Sequence, residues 1–419
     1  MSSPEATEKS LVIPEATLRA LAAQYGTPLW AYDAATIRAR IADLRAFDII
    51  RYAQKASSNV HLLRLMRSEG VVVDAVSLGE IERALVAGYS SRDGRSEIVF
   101  TADVLDRPTL ERVVAEQIPV NAGSIDMLHQ LGQRAPGHRV WLRINPGFGH
   151  GHSNKTNTGG EHSKHGIWHS ELPRALEAVA QRGLQLVGMH MHIGSGVDYA
   201  HLEQVCTAMV QLVERLSAPV PAISAGGGLS IPYRASDPRI DPAHYFGLWD
   251  AARRRIAERF GKPVALEIEP GRFLVAESGV LVAEVRATKA MGHNHFVLVD
   301  AGFNDLMRPS MYGSHHALTL LPSHAEPSTP PRPSVVAGPL CESGDVFTQT
   351  AGGVVETRLL PVAREGDLLV FHDTGAYGAS MSSNYNTRPL IPELLIENGQ
   401  ARLIRRRQTV DELVALELD

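Results

Sequence analysis

The sequence predicts a closed (β/α)8 barrel of the TIM type followed by a mainly β C-terminal domain. Short apolar runs rich in β-branched residues alternate with amphipathic stretches through the first two-thirds of the chain. There are eight such runs, which favours a closed parallel barrel over the alternative, an open doubly wound sheet. After about residue 272 the apolar runs continue with little helical periodicity between them, which indicates a β domain.

The eight predicted barrel strands each end at or near a polar residue or glycine. They are Phe47–Tyr52, Val71–Val76, Glu97–Thr101, Ile118–Asn121, Arg139–Asn145, Leu184–Ile193, Ala222–Ala225 and Ala265–Glu269. Helical periodicity is clear in several of the intervening stretches. These are Leu78–Val86, Leu172–Gln181, Leu202–Leu216 and Phe246–Phe260.

The C-terminal region is predicted to form strands joined by loops, with one final helix at Val410–Leu418. Its predicted strands are Gly279–Val285, His295–Asp300, Ser334–Val336, Thr357–Leu360 and Leu368–His372. A strand at Leu29–Tyr32, ahead of the barrel, is expected to complete this β domain, and the Pro/Ser-rich stretch Ser323–Ser334 is expected to be a loop. The predicted domains are therefore an N-terminal segment (1–34) joining the β domain, a barrel (35–272) and the β domain (273–419).

Composition narrows the class of protein. The formal charge of −5 over 419 residues gives no reason to expect nucleic acid or an anionic membrane as a partner. No apolar run reaches the 18 or so residues that span a bilayer, and the N-terminal sequence lacks the apolar core of a secretory signal. With only Cys206 and Cys341, a disulfide framework is excluded, and we expect a cytoplasmic protein.

Functional groups of such a barrel lie at the carboxyl ends of its strands. Those ends carry Lys55, Arg143, Asn145, His190, His192, Gly226–Gly228 and Glu269–Arg272. The sequence thus predicts an amine, two imidazoles, a glycine triplet and a Glu/Arg pair around one mouth.

Each of these groups has more than one interpretation. Lys55 is either a solvated surface charge or an amine whose pKa is lowered in a dry pocket for Schiff-base formation. The glycine triplet is either a tight turn or a loop whose backbone N–H groups bind phosphate. No Gly-Lys-Ser/Thr follows it, so a nucleoside triphosphate P-loop is excluded.

His190 and His192 are two residues apart on a predicted strand and should point the same way. They are either metal ligands, which would need Lys55, Asp74 and His150 or His152 as partners, or they include an imidazole stacked on a flat cofactor. The remaining histidines of the loop after the fifth strand are either solvated or in contact with substrate. They are His162, His165 and His169.

The β domain offers two further candidates. Cys341 is either a buried inert thiol or a nucleophile with His372 as its base. Arg308 is either a surface charge or a bidentate clamp for a carboxylate.

Six motifs in this order resemble the diaminopimelate decarboxylase family, pyridoxal-phosphate enzymes of the alanine-racemase-like fold type. The motifs are YAQKA (Tyr52–Ala56), HMHIGSG (His190–Gly196), GGGLSIPY (Gly226–Tyr233), EPGR (Glu269–Arg272), GPLCESGD (Gly338–Asp345) and GAYGASMSSNYNTRP (Gly375–Pro389). The resemblance covers nearly the whole chain and implies the same barrel-plus-β-domain fold.

The resemblance implies a role for each matched residue. Lys55 would hold pyridoxal 5'-phosphate covalently, His192 would stack on its ring and Ser195 would lie beside it. Glu269 would pair with the ring nitrogen. The other implied cofactor contacts, to phosphate and ring, are Gly226, Gly227, Gly228, Gly271, Arg272 and Tyr377. The implied substrate contacts are Arg272, Arg308, Tyr312, Glu342 and Tyr377.

The family also implies Cys341 as the proton donor, with Cys341 and Glu342 reaching the site from the partner subunit of a homodimer. The expected reaction is decarboxylation of meso-2,6-diaminopimelate to L-lysine, the last step of lysine biosynthesis. A cation and an anion suit the distal end of this substrate, and Arg272 or Arg308 with Glu342 supplies both. The alternatives are an ornithine or lysine decarboxylase of the same fold, an amino-acid racemase, a metal-dependent barrel hydrolase and a cofactor-storing protein.

Overall fold

A computed structural model describes residues 9–149, 159–192, 194, 198–324 and 330–418. The chain forms two compact units. The barrel unit comprises Ala39–Ser230 and Pro238–Phe273, and the β unit comprises Met1–Arg38, Ile231–Asp237 and Leu274–Asp419.

The bounds of the regular elements, in chain order, are as follows. The helices are α1 (Glu15–Tyr25), α2 (Ala34–Ala42), α3 (Val60–Ser68), α4 (Leu78–Ala87), α5 (Arg107–Ala115), α6 (Ile125–Arg134), α7 (Leu172–Gln181), α8 (Tyr199–Val213), α9 (Pro242–Phe260), α10 (Arg272–Val275), α11 (Arg308–Tyr312) and α12 (Val410–Val414). The first ten strands are β1 (Leu29–Asp33), β2 (Ile49–Ala53), β3 (Val72–Ala75), β4 (Ile98–Ala102), β5 (Val120–Ala122), β6 (Arg139–Asn145), β7 (Ile167–Trp168), β8 (Gln185–His190), β9 (Ala222–Ser224) and β10 (Ala265–Ile268). The others are β11 (Gly279–Met291), β12 (Asn294–Val299), β13 (Leu318–Leu321), β14 (Arg332–Ala337), β15 (Arg358–Leu360), β16 (Leu368–Phe371), β17 (Glu393–Glu397) and β18 (Gln400–Arg405).

The barrel unit is a closed parallel sheet. Its strand order is β5-β4-β3-β2-β10-β9-β8-β6, and pairing of β5 with β6 closes the ring, while the short β7 adds to the end of β6. Each of the eight predicted barrel strands is present, so the predicted closed barrel is confirmed. Val73, Phe100, Leu142 and Met189 are buried and alternate along their strands with the polar side chains Asp74, Thr101, Arg143 and His190.

Helix capping fixes where the barrel strands stop. Ser77 accepts a hydrogen bond from the Glu80 N–H at the start of α4, and Ser124 accepts one from the Met127 N–H at the start of α6. Each serine satisfies a backbone donor that the first turn of a helix leaves without a partner. The helix therefore begins directly after β3 or β5, and the chain between strand end and helix stays short and polar.

The β unit is built on a mixed sheet of order β15-β14-β12-β11-β1-β17-β18, with β16 joining β11 to β13. Strand β1 pairs antiparallel with β11 and parallel with β17, which confirms that the N-terminal strand completes this sheet. The apolar side chains of β1, β11 and β17 pack with α1 into one core, around Leu18, Leu29, Val282 and Leu394.

The structure differs from the sequence-based prediction of the β unit in three places. Strand β11 continues to Met291, six residues beyond the predicted end, because its outer half is exposed and carries no apolar pattern. Strands β13, β17 and β18 were not predicted. At the C terminus the predicted helix is α12 followed by a 3-10 turn at Ala415–Glu417. Part of the predicted loop Ser323–Ser334 lies outside the described residues.

Among the residues that the structure describes, no helix combines the length and the hydropathy needed to cross a bilayer.

Candidate active site

Lys55 lies on a 3-10 turn, Gln54–Ala56, directly after β2. Gln54 and Ala56 are buried, whereas Lys55 is exposed. The Tyr52 hydroxyl donates a buried hydrogen bond to the Ser57 carbonyl over 2.9 Å and fixes this turn. The turn therefore presents one amine at the carboxyl end of β2, as the sequence predicts.

Glu269 follows β10 and is 9% exposed. Its Oε2 lies 2.8 Å from His190 Nε2, and its Oε1 accepts a hydrogen bond from the Ser224 hydroxyl over 3.1 Å. Burial acts to raise the pKa of Glu269, but the charge and hydrogen bond of His190, together with the charge of Arg51, outweigh it and lower the pKa to about 2. Glu269 is therefore a fixed negative charge at neutral pH.

Asp74, at the end of β3, behaves in the opposite way. Burial raises its pKa well above the ordinary value, and the negative charge of Glu269 raises it further, while Thr101 and Lys55 act in the other direction. Its Oδ1 atom is buried and has no hydrogen-bond partner among the residues that the structure describes. Two carboxyl groups in one barrel thus have their pKa values moved apart, a pattern found at functional sites.

His192 lies beyond the end of β8, and its Nδ1 accepts a hydrogen bond from the Gly227 N–H over 3.2 Å. Burial, with the positive charges of Arg143 and Lys55, lowers the pKa of His192 well below its usual value. The ring is therefore neutral at pH 7 and carries its proton on Nε2.

The two histidines predicted to point together have separate partners, because β8 ends at His190. Within the described part of the chain, no cluster of three His, Cys, Asp or Glu residues could hold a metal ion. His190 instead binds Glu269 and orients its carboxylate.

The Gly226–Gly228 loop lies against the ends of neighbouring strands so closely that no side chain fits. A Cβ would lie 2.4 Å from the Met191 carbonyl oxygen at Gly226, 2.6 Å from that of Glu269 at Gly227 and 2.5 Å from that of Gly194 at Gly228. Gly226 and Gly228 also have φ values of 62° and 110°. Bare backbone at the carboxyl ends of parallel strands suits a phosphate group.

Other predicted barrel residues lie in several environments. Arg272 is half-buried at the start of α10, next to Gly271, whose Cβ would lie 3.2 Å from the Ala53 carbonyl oxygen. His165 forms a close pair with Asp103, which sequence reasoning missed, and His162 is exposed. The predictions for His150, His152 and Ser195 fall outside the described residues.

In the β unit, Arg308 opens α11 and is only 6% exposed, so it is not a surface charge. Its guanidinium carbon lies 4.7 Å from the centre of the Tyr233 ring, and its Nη1 lies 3.0 Å from His316 Nε2. Tyr312 ends the same helix. Sequence analysis quoted Tyr233 only as part of a motif and missed His316, whose partner is eight residues away along the chain.

Cys341 and Glu342 are both exposed, and both cysteines of the chain are free thiols. The Cys341 N–H donates to the Asn386 side-chain oxygen over 2.9 Å. His372 is buried and its Nε2 lies 2.8 Å from the Thr319 hydroxyl, which gives no support to a Cys341–His372 pair. Because Cys341 is exposed, the interpretation of it as a buried, inert thiol is wrong.

Tyr377 has a φ of 58°, in the left-handed region. Such a conformation costs free energy for a residue with a side chain and is concentrated at functional sites. Its neighbours Ala376 and Gly378 are buried. A Cβ on Gly378 would lie 2.5 Å from the Thr374 carbonyl oxygen, so the backbone directly after Tyr377 leaves no space for a larger residue.

Comparison with known proteins gives a consistent result. Residues 35–276 match the family described as "Pyridoxal-dependent decarboxylase, pyridoxal binding domain". The diaminopimelate decarboxylase of Escherichia coli K12 is 66% identical over 400 residues, which cover 95% of each chain. A crystal structure of a diaminopimelate decarboxylase superposes with a TM-score of 0.94 at 66% identity over 96% of each chain. The Helicobacter pylori diaminopimelate decarboxylase, solved with L-lysine, has a TM-score of 0.85 at 31% identity over 96% of this chain and 99% of that one.

The barrel fold and its strand-end residues define a pyridoxal-phosphate-dependent carboxy-lyase. The residues present fit this cofactor: an amine at Lys55, an ionised Glu269 for a ring nitrogen, a neutral His192 and a backbone loop for phosphate. The chain belongs to the diaminopimelate decarboxylase family.

Proposed function

We propose that this protein converts meso-2,6-diaminopimelate to L-lysine and CO2, the last step of lysine biosynthesis. Identity of 66% to diaminopimelate decarboxylases over nearly the whole chain supports this substrate. The structural observation that carries the proposal is the buried, ionised Glu269 held by His190 and Ser224.

Pyridoxal 5'-phosphate, when bound, supplies an electron sink for the pair left on the α-carbon as CO2 departs. In our proposal the barrel, residues 35–272, holds it. The Lys55 amine would bind it covalently, the Glu269 carboxylate would keep its ring nitrogen protonated, and the neutral His192 ring would contact the cofactor ring. Its phosphate and ring are held by Gly226, Gly227, Gly228, Gly271, Arg272, Tyr377 and Ser195.

The β unit supplies substrate contacts in this proposal. Diaminopimelate carries a carboxylate and an ammonium at its distal end, and each needs an opposite charge. Arg308 is a better candidate than Arg272 for binding the carboxylate, because Arg308 is buried and held by two neighbours. Glu342 offers an exposed anion for the ammonium. Tyr312, Tyr377 and Arg272 complete the proposed contacts, and the Cys341 thiol returns a proton to the α-carbon.

We also propose that the active form is a cytoplasmic homodimer in which Cys341 and Glu342 serve the partner's site. Their exposure in a single chain supports this, because a proton donor acting within its own subunit should be shielded from water there.

A substrate panel tests the reaction. With added cofactor, we expect kcat/KM for meso-diaminopimelate to exceed that for L-lysine and L-ornithine by at least about 10²-fold, because those substrates leave the carboxylate-binding arginine without its anion. Released CO2 measures the rate with each substrate. A preference for ornithine or lysine would place the protein with the basic amino-acid decarboxylases instead.

Mixing two inactive variants tests the shared site. Lys55→Ala and Cys341→Ala subunits, unfolded and refolded together, should regain up to about a quarter of wild-type activity, because half of the dimers are mixed and each has one intact site. Lys55→Ala mixed with Glu269→Gln is the matched control and should regain nothing, since both changes lie in the barrel. Recovery no greater than in the control would mean that Cys341 acts within its own subunit.

A further inference from the structure

Arg308 belongs to a largely buried cluster within the β unit that the reaction as described does not explain. The cluster contains Tyr233, His316 and the carbonyl of His372. His316 is 5% exposed, and its ring packs edge-on against Tyr233 with centroids 5.4 Å apart. One arginine is thus in contact with two rings that are also in contact with each other.

The hydrogen bonds determine the protonation of His316. Its Nδ1 lies 2.8 Å from the His372 carbonyl oxygen, which can only accept, so Nδ1 carries a proton. Its Nε2 lies 3.0 Å from an Arg308 nitrogen, which can only donate, so Nε2 presents a lone pair. His316 is therefore a neutral acceptor aimed at the guanidinium.

The two neighbours restrict different motions of Arg308. The face of Tyr233 attracts the guanidinium cation. The directional hydrogen bond to His316 limits rotation of the group about the end of the side chain. Together they hold a side chain that otherwise loses much rotamer freedom on binding an anion.

We propose that His316 and Tyr233 are positioning residues that determine specificity, because they hold Arg308 oriented for a bidentate contact with the distal carboxylate of the substrate. This inference rests on the proposed function, in which Arg308 binds that carboxylate. Carboxylate recognition by arginine depends on orientation, since both N–H···O bonds form only when the two planar groups are aligned. The cluster selects a substrate with an anionic distal end and takes no part in the loss of CO2.

Two variants of His316 separate its two hydrogen bonds. The amide of His316→Gln extends to the place of Nε2 and keeps an acceptor for Arg308, whereas the amide of His316→Asn reaches only the place of Nδ1 and keeps the bond to His372. We expect His316→Asn to raise KM for diaminopimelate about 10- to 10²-fold with kcat within about threefold of wild type, and His316→Gln to restore most of the affinity. His293→Asn, an exposed histidine in the same unit, is the control.

1,5-Diaminopentane as a competitive inhibitor provides a second readout. It has an amine at each end and no carboxylate, so its inhibition constant should change less than about threefold in His316→Asn, unlike KM for diaminopimelate. Tyr233→Phe should keep KM and Tyr233→Leu should raise it, because phenylalanine retains the ring face. A merely structural role would raise both constants or lower kcat and thermal stability in all variants.

The outcomes separate the inference from its premise. If His316→Asn matches wild type, or if His316→Gln is as impaired as His316→Asn, the inference is overturned and the decarboxylase stands. If Arg308→Met leaves KM for diaminopimelate unchanged, the carboxylate is bound elsewhere and the inference again fails alone. If the wild-type enzyme prefers ornithine or lysine, the proposed function fails.

Discussion

Replacing Lys55 with alanine is expected to reduce kcat by at least about 10³-fold, the largest effect of any single substitution in the barrel, because it removes the amine proposed to hold the cofactor covalently. Lys55 is exposed on its 3-10 turn and Gln54 and Ala56 beside it are buried. The turn itself is fixed by the Tyr52 hydroxyl. The substitution therefore removes the amine and leaves the backbone in place, and we expect the free energy of unfolding to change by no more than about 0.5 kcal/mol.

Covalent attachment gives a readout apart from activity. After borohydride treatment of the wild-type protein with pyridoxal phosphate, intact mass should rise by one reduced cofactor and the added mass should map to Lys55. In Lys55→Ala the mass should stay unchanged after dialysis. Lys289→Ala, an exposed lysine on β11, is the matched control and should behave as wild type. Retention of covalent cofactor in Lys55→Ala would assign the linkage to another lysine.

The barrel was predictable from sequence because its strands are buried on both sides and stand out as apolar runs. The strands missed in the β unit lack that contrast. The first four residues of strand β18 are exposed, and Ile404 near its end is buried. The outer half of β11 is exposed throughout. Such segments are held by backbone pairing with a neighbouring strand, which leaves little trace in the order of apolar residues.

The positions of the site residues were predictable to the extent that strand ends could be located. Lys55 lies just beyond the end of β2, the glycine triplet beyond β9 and Glu269 beyond β10, so their positions could be predicted from the strand ends. Their electrostatic roles were not predictable. Asp74 and Glu269 are both carboxyl groups at strand ends, and the charge and hydrogen bond of His190, with the charge of Arg51, make Glu269 the stable anion. Contacts between distant segments, such as Tyr233 with Arg308, carry no local sequence signal.

The fixed charge of Glu269 leads to the second prediction, that Glu269→Gln lowers kcat about 10²- to 10³-fold while leaving the cofactor attached to Lys55. Glutamine can keep hydrogen bonds to His190 and Ser224, but it has no negative charge to hold a proton on the ring nitrogen. Glu258→Gln, an exposed carboxylate on α9, controls for loss of one charge. A variant that retains more than a third of wild-type kcat would show that the ring nitrogen needs no anion here.

The same substitution should change how stability depends on pH. The pKa of Glu269 in the folded protein, about 2, lies below the value of about 4.3 expected in the unfolded chain, so its ionised form stabilises the fold above that value. This stabilisation is lost as pH falls through the window between them, because the unfolded chain takes up the proton first. Urea unfolding of the wild type should therefore weaken between pH 5 and pH 3 more steeply than that of Glu269→Gln. If the stability of both proteins changed with pH in parallel, His190 would not hold the Glu269 carboxylate ionised. The electrostatic role assigned to Glu269 would then be wrong.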